Sequence, residues 1–340
     1  MTNPDEPRPE SELPEPSPSR LPRWRGFNLT EMFTAGSARA FLESDFAAIR
    51  RLGFNFVRLP MDYRCWTDPA EPYAPRAEPL TWIDRAVELG RACGVHVCLN
   101  LHRAPGYCVN QGESDGLDLW TEDEAQKQFA FQWSTFARRY RGVSNAQVSF
   151  NLVNEPARIG AEAYVPVVRR AVEAIRREDP DRLILADGLD WGNVPVFELA
   201  DLGIAQSTRG YTPHRVSHYR ANWIDSAGWP PPTWPLAAEG EVFDADRLRA
   251  DRIAPWQALE AAGVGVHVGE FGCYHHTPHD VALAYLGDSL ALWREAGWGW
   301  ALWNFRGAFG VLDSARDDVD YEPFEDRLLD RKMLSLLQAS

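Results

Sequence analysis

Apolar residues recur along this chain in two alternating rhythms. Short β-branched or aromatic runs are followed by longer stretches whose apolar positions fall every three or four residues, and that succession reads as strand, helix, strand, helix. The strand-like runs are Trp24 to Leu29, Phe54 to Leu59, Val95 to Leu101, Gln147 to Val153, Leu183 to Asp187, Ile204 to Tyr211 (with Arg215 to Tyr219 as the alternative), Val264 to Glu270, and Gly299 to Trp303. The helix-like runs are Ser37 to Leu52 with Ser37 as a cap, Leu80 to Cys93, Glu122 to Tyr140, Ala161 to Arg177, Asp246 to Ala262, Asp280 to Ala296, and a C-terminal Asp326 to Leu337. Eight such units in sequence fit an α/β fold of the (β/α)8 barrel type better than an open doubly wound sheet. Phe27-Asn28-Leu29 stands where a nucleotide-binding sheet would carry its glycine-rich phosphate loop, which argues the same way.

Two of the strand-like runs close on a carboxylate. Val148 to Pro156, VSFNLVNEP, ends in Asn154-Glu155-Pro156, and Val264 to Glu270, VGVHVGE, ends in Glu270. An acidic side chain delivered beside apolar neighbours loses hydration, which raises its pKa and keeps a proton available for donation. Arg58, His102, Asn154, Glu155, Glu270 and Trp303 fall at, or a step or two past, the C-terminal ends of five expected strands, where barrel active sites are built. Taken singly, Arg58 could be a structural ion pair, His102 a satisfied core imidazole and Trp303 packing. Six together at one end of a barrel favour a site, and carboxylates on the fourth and seventh strands face each other across its mouth as glycoside cleavage needs.

Composition sets the surroundings of that site. The chain has 340 residues, enough for one large barrel domain, and a formal net charge of −14, which lacks the basic footprint of a nucleic-acid binder. Its first 22 residues are rich in Pro, Glu and Ser and are expected to form a disordered leader, with the catalytic barrel spanning 23–340. That leader has no basic segment followed by an apolar one, so neither a signal peptide nor a membrane anchor is expected. The five cysteines form no CxxC pair and read as reduced thiols of a cytoplasmic protein. The 40 aromatic rings counted as 14 Trp, 10 Tyr and 16 Phe exceed what a core needs. Several fall in loops: Tyr63 and Trp66, Tyr107 and Trp120, and Trp223, Trp229 and Trp234 in a Pro-stiffened segment 220–242 that reads as a lid over a sugar cleft.

RGFNL (Arg25 to Leu29), GFNFVRLP (Gly53 to Pro60), LNLHRAPGYCVN (Leu99 to Asn110), FNLVNEP (Phe150 to Pro156), VGEFG (Val268 to Gly272) and WALWNFRGAFGVLDS (Trp300 to Ser314) together resemble glycoside hydrolase family 5, in the clan of retaining (β/α)8 glycosidases. The resemblance covers nearly the whole chain after Pro22. It implies hydrolysis of β-linked gluco- or manno-configured oligosaccharides or glycosides by double displacement, without a cofactor or metal. It further implies Glu155 as acid/base, Glu270 as nucleophile, Asn154 on the sugar 2-hydroxyl, Arg58 and His102 bracing the nucleophile region, Tyr211 touching the nucleophile, and Trp303 flooring the sugar. One position departs from the family pattern: Arg209 stands where a strand-six histidine is usual, with His218 as the nearby imidazole that could substitute.

Other classes remain open at this level. A carbohydrate-binding barrel without catalysis would be favoured by the loss of either carboxylate, and both are present. A metal-dependent hydrolase would draw on His267, His275, His276 and His279, but no HExxH or His-x-His pattern accompanies them. The acidic run Asp313, Asp317, Asp318 and Asp320 has the oxygens for a cation but not EF-hand spacing.

Overall fold

The computed structural model describes residues 13–110, 115–238 and 240–340. Eight parallel strands form a closed ring: β1 (Arg25–Asn28), β2 (Phe56–Asp62), β3 (His96–Ala104), β4 (Val148–Val153), β5 (Ile184–Asp187), β6 (Ala205–Gly210), β7 (Val266–Phe271) and β8 (Gly299–Leu302). Each strand hydrogen-bonds to its sequence neighbours, and β1 pairs with β8, which closes the barrel. The helices α1 (Glu43–Arg51), α2 (Ala77–Cys93), α3 (Asp123–Arg139) and α4 (Ala161–Glu178) cover the first crossovers. After β6 the helical path runs Ala245–Leu248, widens through a π-type turn at Arg249–Ile253 and continues over Ala254–Ala261; α5 (His279–Ala296) and α6 (Arg331–Ala339) complete the outer ring. Between β5 and β6 only a short turn at Leu189–Gly192 and a 3-10 segment at Phe197–Leu202 make the crossover.

Strand pleating sorts the chain into a wall and an interior. Outward residues such as Val57, Leu59, Val97, Leu99 and Phe150 join the helix faces in one continuous apolar core. Inward residues alternate with them. At the floor of the barrel Trp24, Phe56, Cys98, Leu183, Leu185, Ala205 and Ala301 form a separate small cluster. The His96 ring stacks on Trp24 at 3.7 Å between centroids, and His267 packs on Phe56 at 4.6 Å. Above this plug the inward positions turn polar: Asn28, Arg58, Asn100, Asn151, Asp187, Ser207 and Arg209 are all buried.

Several strand ladders slip by one residue close to this polar layer. Asn100 pairs with Asn151 but Leu101 with Val153, and Val268 pairs with Thr208 but Glu270 with Arg209, so Leu152 and Gly269 are the extra residues of two bulges.

Three expectations are corrected. Residues 13–22 do not behave as a disordered leader: Ser17 and Arg20 exchange backbone hydrogen bonds, and the Pro18 carbonyl accepts from Gly265 N at 2.8 Å. A Pro-rich segment cannot build a core, but it can satisfy an open backbone donor at the barrel's lower rim; the first twelve residues lie outside the described ones. Ser37 does not cap α1. It ends a 3-10 turn, and α1 starts at Glu43 with Glu43 and Asp45 in the first turn, where the helix dipole favours acidic side chains. Residues 326–329 are not helical: Glu322–Phe324 and Arg327–Leu329 pair as a hairpin, and α6 begins after Asp330, whose carboxylate accepts from Met333 N at 2.9 Å. Of the two placements weighed for the sixth strand, Ala205–Gly210 is the one formed; Arg215 lies in a helical turn, His214–Ser217.

Candidate active site

The polar layer of the barrel converges on two arginines. Arg58, inward on β2, donates from NH1 to Glu270 Oε1 (2.5 Å) and Asn28 Oδ1 (3.1 Å), from NH2 to Asn154 Oδ1 (2.8 Å) and from Nε to Asn151 Oδ1 (2.9 Å). Arg209, inward on β6, donates from Nε to Glu155 Oε1 (3.0 Å) and from NH2 to Asn154 Oδ1 (3.0 Å) and to Asp187 Oδ2. The same NH2 lies 3.4 Å from Glu270 Oε1. Asp187 is itself held by Asn151 Nδ2 (2.8 Å) and by Glu155 N (2.9 Å).

The bulges explain how both glutamates come to face inward. His267 and Gly269 are in phase with the interior, so regular pleating would turn residue 270 outward; the extra Gly269 restores the inward direction for Glu270. The extra Leu152 does the same for Asn154, which follows the inward Asn151 by three residues. Glu155 leaves the strand with φ 49, a left-handed conformation uncommon for a side-chain-bearing residue, and two hydrogen bonds brace it there. Its amide donates to Asp187, and its carbonyl accepts from Tyr107 OH at 2.6 Å.

Electrostatics act strongly on Glu155. Burial, and next the Glu270 charge, push Glu155 up to about 8, against the pull of Arg209. Glu155 is therefore a proton carrier at neutral pH. For Arg209 burial disfavours the charge, but Asp187, Glu270 and Glu155 more than offset this and leave its pKa raised. Tyr211 reaches Glu270 Oε2 at 3.3 Å, and burial followed by the two carboxylates holds its phenol well above the usual range, so it stays a donor. Asn154 accepts from both guanidiniums through one oxygen, which fixes its amide orientation. Its Nδ2, buried and without a partner among the described residues, remains to donate to a ligand.

His102 and Trp303 form the neighbouring wall. Their rings stack at 5.6 Å with Phe33 against both, at 4.5 Å from His102 and 5.3 Å from Trp303. Burial, with Arg103 and Arg58 nearby, holds His102 well below its ordinary pKa, so it is a neutral imidazole there.

Glu155, Glu270, Arg58, Asn154 and Tyr211 thus meet in one network, with His102 and Trp303 beside it. His218 does not join. Its Nδ1 bonds Ser217 Oγ at 2.8 Å, its ring meets Tyr211 edge-on at 5.0 Å, and burial holds its pKa down at about 3. Arg209, not an imidazole, fills the strand-six place. Asp187 is a member of this network that strand-end reasoning passed over, and Arg209 stood out in the sequence only as a departure from the family pattern. The signal for both was parity: Asp187 is in phase with inward Leu185, and Arg209 with inward Ser207.

The loop aromatics divide. Trp66 and Tyr63 are fully buried packing residues, bonded to Gln132 (2.8 Å) and Asp115 (2.6 Å). Trp234 points to α5, where its indole bonds Asp288 at 2.8 Å and its ring meets Tyr285. Trp223, by contrast, is 51% exposed and stands in an aromatic group with Tyr274, His218 and Phe309. On the Glu155 side, Trp120, Arg158, Ile159, Asp190, Trp191 and Val194 line an open depression of about 580 Å³.

The histidines considered as metal ligands diverge: His279 pairs with Asp330 at 2.8 Å, His275 bonds Ala315 O, and His267 lies in the barrel floor. In the acidic loop, Asp313 accepts from Leu328 N and Arg327, and Asp318 caps His279 N at 2.7 Å. Among the described residues no three His, Cys, Asp or Glu side chains gather as a metal site.

Comparison with known proteins agrees with this fold. Residues 17–308 match the family model for cellulase, glycosyl hydrolase family 5. Among curated relatives, endoglucanase C of Acetivibrio thermocellus is 24% identical over 82% of this chain and 88% of its own length. A β-xylosidase of Phanerodontia chrysosporium is 25% identical over 87% of this chain, which spans 63% of that longer protein. Among solved structures, one described as a glycoside hydrolase has a TM-score of 0.88 at 41% identity, covering 93% of this chain and 99% of the other. Cel5A of Thermotoga maritima, solved with mannotriose, superposes at a TM-score of 0.76 and 18% identity over 93% of this chain and 97% of its own, a likeness of fold. The chain belongs to glycosyl hydrolase family 5, and it is a glycoside hydrolase built on a (β/α)8 barrel.

Proposed function

We propose that this protein hydrolyses β-glucosidic bonds of oligosaccharides or glycosides by double displacement, with Glu270 as nucleophile and Glu155 as acid/base. The observation that carries this reading is the pairing of a glutamate that is mostly, though not fully, buried and whose pKa is pushed up to about 8 with a second, buried glutamate paired to arginine, both touching the Arg209 guanidinium. In the first step Glu270 attacks the anomeric carbon while Glu155 protonates the departing oxygen. In the second, water gives its proton to Glu155 as it attacks the same carbon, and the ester bond to Glu270 breaks. Tyr211 and Arg58 hold the Glu270 carboxyl in line. The open amide of Asn154 suits the sugar 2-hydroxyl, and the Trp303 face suits the apolar side of the ring. The depression around Trp120 and Trp191 lies on the acid/base side and has room for the leaving portion.

The substrate class rests on relatives named endoglucanase, cellodextrinase and glucan 1,3-β-glucosidase, with a β-xylosidase beside them. Manno-configured substrates are the second reading, favoured by the mannotriose complex of the Thermotoga structure. Proton NMR of the first-formed sugar from aryl β-glucoside and β-mannoside is the test. Initial product of the β configuration is expected, and an initial α product would overturn the double displacement.

A further inference from the structure

Resting on the double-displacement reading, we propose that Arg209 is a positioning residue that acts as a shared counter-ion, neutralising Glu270 in the free enzyme and Glu155 once Glu270 has become the glycosyl ester. The argument starts from charge. With Glu155 protonated, the buried set contains two anions, Asp187 and Glu270, and two cations, Arg58 and Arg209. When Glu270 attacks the anomeric carbon and Glu155 gives its proton to the leaving oxygen, one negative charge disappears at Glu270 and one appears at Glu155. The total is unchanged, but its place has moved across the site, and a carboxylate shielded from most of its water is costly when unpaired.

Arg58 cannot follow that move, since its hydrogen bonds go to Glu270, Asn28, Asn154 and Asn151. Arg209 can. Its Nε already donates to Glu155 Oε1 at 3.0 Å, and its NH2 stands 3.4 Å from Glu270 Oε1. Asp187 anchors the same NH2 and also takes the Glu155 amide, so guanidinium and acid/base are held by one carboxylate. Other polar groups of the site do not substitute: His102 is held neutral, Tyr211 is held as a phenol on Glu270, and Tyr107 bonds the Glu155 carbonyl.

The chain has also made room for this side chain. A Cβ at Gly192, which has φ +77, would stand 2.7 Å from Arg209 Cγ, and a Cβ at Gly269 would stand 2.9 Å from Arg209 NH1. One of those glycines is the bulge residue that turns Glu270 inward.

The consequence is asymmetric between the two steps. Glycosylation by an activated leaving group needs no proton from Glu155, whereas the second step needs Glu155 as a carboxylate, the form Arg209 favours. The test combines titration and kinetics on the full chain. Carboxyl-13C glutamate NMR should show Glu155 titrating at least one unit higher in Arg209→Gln than in wild type, with Arg209→Lys between them. On 2,4-dinitrophenyl β-glucoside, Arg209→Gln should lower kcat at least about tenfold, with a burst of dinitrophenolate, while kcat/KM changes less than about threefold, one pKa unit being a factor of ten. An unmoved Glu155 titration in a folded Arg209→Gln overturns the proposal, as does an equal fall in kcat and kcat/KM. Mass spectrometry after trapping with a 2-deoxy-2-fluoro glucoside separates the two ideas: a label on a residue other than Glu270 refutes double displacement through Glu270, whatever Arg209 does.

Discussion

Replacing Glu155 by Gln should stabilise the folded protein, and by an amount that grows with pH. Gln keeps the shape and can still accept from Arg209 Nε, but it carries no proton to lose. Wild-type Glu155 binds its proton more tightly folded than unfolded, since its pKa is raised from 4.5 to about 8. The benefit of that tighter binding is present below pH 4.5 and is lost as pH rises, until above about pH 8 the folded state carries the full cost of a buried anion beside Glu270. At about 1.4 kcal/mol per unit, the difference reaches on the order of 4 kcal/mol at pH 8, a Tm gain of about 6 °C for a chain of this length. Calorimetric Tm measured from pH 4 to 8.5 in both proteins is the assay. Other titrating groups, such as Asp45, which burial pushes up to about 6, are common to both and cancel in the difference. Parallel Tm curves, or a variant less stable than wild type at pH 8, would refute the burial argument and with it the basis for calling Glu155 the proton donor.

Three further outcomes follow from the same geometry. Glu270→Ala should retain the fold yet lose several orders of magnitude in kcat on an aryl β-glucoside, and near wild-type turnover would remove it from the nucleophile role. The wild-type pH profile of kcat/KM should be bell-shaped, with its alkaline limb near pH 8 because activity needs the Glu155 proton; a limb unchanged in Glu155→Asp would place that titration elsewhere. Trp223→Ala should raise KM for longer oligosaccharides with little change in Tm, whereas Trp234→Ala should lower Tm with little change in KM, because one ring is half open and the other is bonded to α5; the reverse pattern would show that the sugar meets Trp234.

The barrel was legible because its signal is redundant: each strand contributes one apolar wall face, and each helix repeats the 3.6 period against it. What misled was local. Ser37 looks like a cap, but the chain stays extended to Leu42 so that Phe41 can be buried first. Residues 326–329 carry helix formers and still pair as a hairpin, since Asp313 takes the Leu328 amide and ties them to the loop after β8. In the site, the glutamates stood out because Asn-Glu-Pro and Gly-Glu interrupt apolar runs. Asp187 did not, and Arg209 showed only as a departure from the family pattern, because a polar residue inside a barrel is visible only once the pleat is known to point it inward. The Trp-rich loop was overread for the same reason. Composition cannot say whether an indole faces a cleft or, like Trp234, an aspartate on a helix.

The bulge at Gly269 shows that this site depends on counting as well as on chemistry. Strand residues face in or out by odd and even, and Glu270 faces in only because one surplus residue shifts that tally between His267 and the strand end. Taking Gly269 out would leave both glutamates, both arginines and the aspartate in the sequence, yet it would restore a regular ladder and turn Glu270 toward the helices. In that frame-like sense the spacing around a catalytic residue in a barrel strand is as much a part of the active site as the residue. A family motif that tolerates substitution beside its glutamate need not tolerate an insertion or deletion there.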